Sequence, residues 1–357
     1  MRQTVAVVGG GYGGIEVARG LDEFADVVLI EPRQDFHHNA AALRAVVRPD
    51  FAHQTFIPYD KLLVHGRVER DAAAQVSPGS VRLASGRAID ADYIVLATGV
   101  RHPFPGKPSQ LDTPEAVASY AQLQAQLAAA DRILLAGAGP IGLELAGEIK
   151  AEWPGKEVVL VDPAPSILPE RSAELRAEIE RQLAELGVTL VLGAALPASF
   201  DVAPGTLAPF TVELTDGRSL SADLWLRCYG TNPAADYLAD SLQAARLPNG
   251  LVRVTQSLRL HGQDRVYAIG DMTDVAEPKQ AVAAMAHAAV VVANIKADLG
   301  LGESTVYEPA GSSILIPLGP SHGAGEHPGM GVLGSEVTAQ YKGGDLLLGH
   351  YNSVFNR

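Results

Sequence analysis

TVAVVGGGYGGIEVARG, residues 4–20, is a five-residue apolar run, a cluster of glycines and then a pattern of helical periodicity. Gly9, Gly11 and Gly14 fit the spacing G-x-G-x-x-G. After a strand, the first glycine permits a sharp turn and the second lets backbone approach a pyrophosphate. The third allows close helix–strand packing, and the helix N-terminus offers free N–H groups to an anion. The intervening Tyr12 and Gly13 belong to the same candidate loop. The next apolar run, DVVLIE (26–31), ends in Glu31, 22 residues after Gly9 and followed by Pro32. An acid at that place can hold both hydroxyls of a ribose. A glycine triplet alone is common in turns; the strand, helix and acid around it make this one a dinucleotide loop.

The arrangement returns at RILLAGAGPIGLELAGEI (132–149), where Gly137, Gly139 and Gly142 follow an apolar strand with Pro140 and Ile141 between them. EVVLVD (157–162) then ends in Asp162. Glu16 and Glu144 each stand seven residues past the first glycine of their copy. Farther on, VRLASGRAIDADYIVLATG (81–99) lies over VELTDGRSLSADLWLRCYG (212–230), both reading as a hairpin turned at Ser-Gly or Asp-Gly and a strand ending in glycine. Gly9 and Gly137 are 128 residues apart; Glu31 and Asp162, Gly86 and Gly217, and Gly99 and Gly230 are each 131 apart. A chance glycine cluster does not bring a matching acid, hairpin and strand at one offset. The chain is an internal duplication of two βαβ units, each with a small antiparallel insertion. The fold class is α/β, with two Rossmann-like dinucleotide-binding domains and a small C-terminal α+β domain.

The totals agree. At 357 residues with 47% hydrophobic content the chain is long enough for two or three domains with filled cores. A formal net charge of −13 disfavours nucleic acid and anionic membrane surfaces as partners. Cys228 is the only cysteine, which excludes an intrachain disulfide and fits a reducing, cytoplasmic setting. The first strand begins by Thr4, leaving no room for a signal peptide, and Arg2 stands where N-myristoylation needs glycine. The most apolar stretch, Ala281 to Ile295, is short for a membrane span, carries His287 and Asn294, and reads as a buried helix. No H-x-x-x-H or C-x-x-C spacing suggests a metal.

Two adjacent dinucleotide sites usually serve electron transfer between two dinucleotides. DRVYAIGDMTD (264–274) decides which is which: an apolar strand reaches Gly270-Asp271, and a long apolar helix follows. Here the chain resembles the two-dinucleotide-binding flavoprotein oxidoreductases, in which such a Gly-Asp holds the ribityl chain of FAD. In those proteins the following helix points its N-terminus at the isoalloxazine. ATGVRHPFPG (97–106), with Ala97, Thr98 and Gly99, resembles that family's exit from the first flavin segment. The resemblance implies a discontinuous FAD-binding domain, 1–103 and 230–303, a nicotinamide-binding domain at 104–229 and a small domain at 304–357. Read alone, Asp271 is a turn aspartate.

A closer resemblance covers almost the whole chain. DFHHNAAALRAVV (35–47), FPGK (104–107), GEIKAEWPGKEV (147–158) and VYAIGDMTDV (266–275) are similar to the ferroptosis suppressor proteins, FAD enzymes that use NAD(P)H and typically reduce quinones. Carried over by position, the resemblance adds Arg44 and Val68 to the FAD contacts. Animal members of that group are myristoylated, and this chain departs from them there.

Asp162 accepts from the 2′ and 3′ hydroxyls of adenosine and repels a 2′-phosphate; Pro163 and Ala164 follow it, and the nearest arginine is Arg171. NADH is expected over NADPH, although Asp162 also reads as a turn residue before proline. Hydride transfer needs alignment more than acid–base groups. By resemblance Glu144 lies near the nicotinamide carboxamide; its alternative is a solvated helix carboxylate. Lys279 is placed to offset charge on a reduced flavin, or is a surface lysine. Reducing a quinone takes up two protons, for which His37 and especially His38 stand closest in sequence, with a hydrogen-bonded structural role as the alternative; His322 is weaker. A lone cysteine cannot form the two-cysteine relay of disulfide reductases, so the acceptor, a quinone or dioxygen, meets the flavin directly. Two other readings stay open: a ferredoxin or rubredoxin reductase, and a non-catalytic NADH-sensing flavoprotein. The segment 304–319 and the segment 331–355 read as strands between glycine turns, covering the flavin in a monomer or homodimer.

Overall fold

The structure is a computed structural model that describes residues 2–309, 311 and 313–356. Each continuous apolar run of the two copies becomes a strand of a fully parallel sheet, as strands buried on both faces should. The first sheet runs in the order Val266–Ala268, Tyr93–Leu96, Thr4–Val8, Asp26–Ile30, Arg67–Glu69. The second runs Val188–Leu192, Glu157–Asp162, Arg132–Ala136, Leu224–Arg227. In both, the strand before the glycine loop is flanked by the acid-bearing strand and by the strand that ends in glycine. Only the first sheet gains an outer strand from far along the chain, Val266–Ala268, which pairs with Tyr93–Leu96 and delivers Gly270-Asp271 beside the first loop.

The expected hairpins form, and both turn glycines sit at φ +88°, a region open to glycine. The insertions are not equal. The first is a three-stranded meander, Ala73–Ser77, Ser80–Leu83 and Ala88–Asp90, whereas the second keeps two strands, Phe210–Glu213 and Ser219–Ala222.

Helix Tyr12–Leu21 packs against the long helix Ala281–Asp298 at close range because glycines face it. A Cβ on Gly13 would lie 2.9 Å from Ile269 Cδ1 and 3.0 Å from the Ala284 carbonyl oxygen, and one on Gly20 would lie 2.8 Å from Val292 Cγ2. The long helix, apolar and long enough to cross a membrane by composition alone, buries Ala284, His287, Ala288, Val291, Asn294 and Ile295 along one face. Its other face carries Val282, which is 63% exposed. The expected buried helix is therefore buried on one side.

The C-terminal segment corrects its expectation. Ile314–Pro317, Gly323–His327 and Gly331–Leu333 form a three-stranded antiparallel sheet, but from Ser335 the chain is helical rather than extended. It makes a short helix at Ser335–Thr338, a π-turn at Ala339–Gly343 and a last helix at Leu348–Val354. Leu348, Tyr351 and Phe355 recur at helical spacing, and Tyr351, Val354 and Phe355 close over a core containing Ile15, Phe36 and Tyr59. In the 304–319 stretch the only strand among the described residues is Ile314–Pro317, while Ala310 and Ser312 lie outside them.

Candidate functional site

Both glycine loops have the geometry their spacing predicts. Gly9 and Gly137 turn at φ +105° and +109°. A Cβ on Gly14 would fall 1.9 Å from the Gly9 carbonyl oxygen, and one on Gly142 would fall 1.9 Å from that of Gly137. Gly11 and Gly139 differ: an added Cβ would meet nothing within 4 Å, so each loop leaves a cradle in front of its middle glycine. These two residues also cap their helices, and neither cap has a side-chain hydrogen bond. The first intrahelical bonds run from Ile15 to Gly11 and from Leu143 to Gly139. The N–H groups before them, on Tyr12, Gly13, Gly14, Ile141 and Gly142, have no acceptor within their helix. Pro140 lacks an N–H and sits where none is needed.

The strand-end acids repeat one hydrogen-bond pattern. Glu31 Oε2 accepts from Gly10 N at 2.7 Å and Oε1 from Arg33 N at 2.9 Å. Asp162 Oδ2 accepts from Ala138 N at 2.7 Å and Oδ1 from Ala164 N at 2.8 Å. Each carboxylate thus fixes its glycine loop and the turn after its own strand, with lone pairs left for a ribose. Pro32 makes that turn in the first copy, and Val68 pairs with Leu29 on the neighbouring edge strand. Arg171, the arginine nearest Asp162 in sequence, has its guanidinium 3.4 Å from Glu326, on the C-terminal sheet.

Ala97, Thr98 and Gly99 close the first cradle from the next strand. A Cβ on Gly9 would lie 2.7 Å from the Ala97 carbonyl carbon, Gly99 turns at φ +59°, and Thr98 Oγ1 donates to the Ala234 carbonyl at 2.7 Å. The matching Gly230 turns at φ +89°. Gly270 turns at φ +70° and presents Asp271, whose carboxyl is pushed up by burial and drawn back by the charges of Lys107 and Lys279. Lys107, the last residue of FPGK, is a site residue that motif spacing alone did not single out. Burial pushes its ammonium down, Asp271 and Glu31 oppose that shift, and Nζ donates to the Val100 carbonyl at 2.8 Å. Tyr59 was likewise missed: its hydroxyl donates to the Gly10 carbonyl at 2.7 Å and backs the loop.

Lys279 reaches this region but its Nζ donates to the carbonyls of Thr273 at 2.8 Å and Val275 at 2.9 Å, stapling the loop between Asp271 and the long helix. Glu144 is not a solvated helix carboxylate. It is buried, its carboxyl is pushed up by burial, and Lys342 of the π-turn opposes the shift by donating to Oε1 at 2.7 Å. One turn on, Glu148 takes Nε and Nη2 of the buried Arg44, the latter at 2.8 Å. Arg44 also donates to the carbonyls of Gly343 at 2.6 Å and Gly344 at 2.7 Å. Expected as a flavin contact, it is placed as a brace joining three parts of the chain.

The proton-donor expectation for His38 is corrected. The residue is 0% exposed, Nε2 donates to the Leu346 carbonyl at 2.6 Å, and Nδ1 accepts from the Tyr12 hydroxyl at 2.9 Å. Burial lowers its pKa to about 4 against the opposing carbonyl bond, so at neutral pH it holds no extra proton. His37 is buried too, with Nδ1 on Asn39 Oδ1 at 2.7 Å and a pKa lowered by burial to about 3. Cys228 is buried in apolar surroundings that push its thiol up to about 12, as suits an inert side chain.

Comparison with known proteins places this geometry. Residues 3–288 match the family model for pyridine nucleotide-disulphide oxidoreductases. Ferroptosis suppressor protein 1 of Taeniopygia guttata is 34% identical over 328 residues, spanning 90% of this chain and 88% of that protein. The Mus musculus protein of the same name is 32% identical over 352 residues, spanning 96% of this chain and 93% of its own length. Among solved structures, the sulfide:quinone oxidoreductase of Aquifex aeolicus superposes with a TM-score of 0.76 at 17% identity, covering 99% of this chain and 92% of that one, a likeness of fold. With its two open glycine cradles, two strand-end acids and a Gly-Asp turn beside the first, the chain belongs to the pyridine nucleotide-disulphide oxidoreductase family, as an FAD-dependent oxidoreductase related to the ferroptosis suppressor proteins.

Proposed function

We propose that the chain oxidises NADH at the second loop and delivers the electrons, through FAD held along the first sheet, directly to a quinone. The observation that carries this reading is the pair of open cradles at Gly11 and Gly139, each backed by an acid with the same hydrogen bonds, together with one buried, unreactive cysteine. The residues present fit the flavin. The cradle has room at Gly11, the N–H groups of helix Tyr12–Leu21 suit a pyrophosphate, Glu31 suits a ribose, and Asp271 suits a ribityl chain. Bound there, FAD supplies two-electron chemistry between a hydride donor and the acceptor.

The chain's own residues bind and orient. Gly9–Gly14, Glu31, Pro32, Val68, Ala97–Gly99 and Gly270-Asp271 hold the first dinucleotide. Gly137–Gly142, Asp162 and Gly230 hold the second, and Asp162, with Arg171 turned to Glu326, favours a free 2′-hydroxyl over a 2′-phosphate. Glu144, held by Lys342, positions the nicotinamide end. The quinone assignment rests on the resemblance to the ferroptosis suppressor group, and a cytoplasmic location on the single unpaired cysteine.

The test is anaerobic reduction of the purified holoprotein by NADH, followed by rapid mixing with a short-chain quinone. The expected outcome is bleaching of the flavin band and its recovery on quinone. A protein that neither carries nor takes up flavin overturns the reading. NADPH giving the higher kcat/KM overturns the nucleotide preference. Asp271→Ala is expected to lower FAD occupancy sharply at unchanged fold; unchanged occupancy removes Asp271 from the site.

A further inference from the structure

The turn that presents Asp271 is held from behind by a buried polar chain that the reading above leaves without a role. Gly270 must adopt φ +70°, and its N–H, buried in that turn, donates to His287 Nδ1 at 3.0 Å. His287 lies on the second turn of the long helix and is 1% exposed. For Nδ1 to accept, the ring must be neutral and carry its hydrogen on Nε2. Nε2 lies 2.8 Å from Glu277 Oε1, off the axis of a straight hydrogen bond, and Glu277 Oε2 accepts from the Tyr307 hydroxyl at 2.7 Å. The Tyr307 ring stands edge-on to His287 at 4.3 Å, and its backbone N–H donates to the Gln256 carbonyl at 2.7 Å.

The chain of contacts has one direction. Tyr307 orients the Glu277 carboxylate, the carboxylate favours the tautomer protonated at Nε2, and that tautomer leaves Nδ1 as the acceptor Gly270 needs. The charged groups facing His287 are Glu277 and Lys279; burial pushes the imidazole down against Glu277, which keeps it neutral. With no acceptor at Nδ1, a buried N–H at a left-handed glycine has no partner, and the turn relaxes to find one. Asp271 is the next residue and moves with it.

We infer that His287, oriented by Glu277 and Tyr307, is the positioning residue that aims the Gly270-Asp271 turn at the flavin ribityl chain. The inference rests on the proposed placement of FAD at that turn. Asparagine can place its amide oxygen near where Nδ1 stands, whereas glutamine carries its polar atoms to the Nε2 end and leucine supplies none.

The test titrates FAD into flavin-depleted full-length protein carrying His287→Asn, His287→Gln or His287→Leu, and reads the dissociation constant, the flavin absorbance maximum and the thermal midpoint of each apoprotein. Expected is weakening of FAD binding by about tenfold or more in the Leu and Gln variants, the effect of one buried donor left without a partner, with near wild-type binding and spectrum for Asn. Glu277→Gln should weaken binding when His287 is present and add nothing in the His287→Asn background. A merely structural role predicts losses that follow the thermal midpoints, with Asn no better than Leu; that result overturns the inference, as does wild-type affinity in all three variants. Asp271→Ala in the same titration separates the two failures. If it binds FAD like wild type, the site reading is wrong; if it alone loses FAD, only the assignment to His287 is wrong.

Discussion

His37 and His38 are held neutral by burial, with pKa values near 3 and 4 in the folded chain, well below the 6.5 of an exposed imidazole. Between about pH 4 and 6.5 the unfolded chain therefore binds protons that the native chain does not. Stability contributed by these neutral rings is present above that window and falls as pH drops through it. Urea midpoints measured from pH 7.5 down to 5 should fall, and His38→Asn, which has no such proton to take up, should flatten the slope by close to one proton. An unchanged slope would show that the ring is hydrated in the folded state. Asp162 acts on the other axis, selectivity. If Asp162 holds the ribose as proposed, Asp162→Ala should raise the KM for NADH more than it changes kcat and should narrow the gap to NADPH, since that contact is remote from the reacting carbon.

At the scale of elements, the glycines mark close approaches that single substitutions will expose. A Cβ on Gly147 would lie 2.2 Å from Leu318 Cα, so helix Pro140–Glu152 and the end of strand Ile314–Pro317 touch backbone to backbone. Gly147→Ala should cost about 1–3 kcal/mol by overpacking and loosen the C-terminal sheet first; protease sensitivity appearing beyond residue 313 before elsewhere is the expected sign. This scale also shows what the sequence could and could not announce. Both dinucleotide units were readable because their glycines, acids and hairpins are local signals spaced by a constant offset. The closing helices were not, since glycines break the pattern after Ser335, and Leu346 and Leu347 take φ +54° and +65°. The partners of His38 and Arg44 were beyond reach for another reason. His38 bonds to Leu346, 308 positions away, and Arg44 to Glu148, 104 positions away, and no local pattern encodes such a pairing. Lys107 was quoted within a motif, yet its nearness to Asp271 arises only when the chain crosses back to the first sheet.

For the molecule as a whole, Arg44 and Glu148 form the joint between the first unit, the second unit and the C-terminal turn. Both side chains are 5% exposed, so removing either leaves a buried charge unbalanced. Arg44→Met and Glu148→Leu should each destabilise the chain by about 3–5 kcal/mol, and the double variant by clearly less than their sum. Additive losses in a thermal or denaturant series would mean the two charges are solvated separately.

The duplication also carries a consequence for how the chain tells its two ligands apart. Glu31 with Gly10 and Asp162 with Ala138 repeat one hydrogen-bond pattern, and on the proposed reading each stands ready for an adenosine ribose beside a glycine loop for a diphosphate. At the ADP end the halves then differ by little more than Pro140, and recognition there would depend little on what the ligand carries at its other end. Discrimination falls to the parts that differ: Asp271 and Lys107 beside one cradle, and beside the other Glu144, buried against Lys342 where its counterpart Glu16 is part-exposed. Plain ADP, lacking either distal group, is thus expected to compete at both sites, against the nicotinamide nucleotide during turnover and against flavin uptake by the flavin-depleted chain.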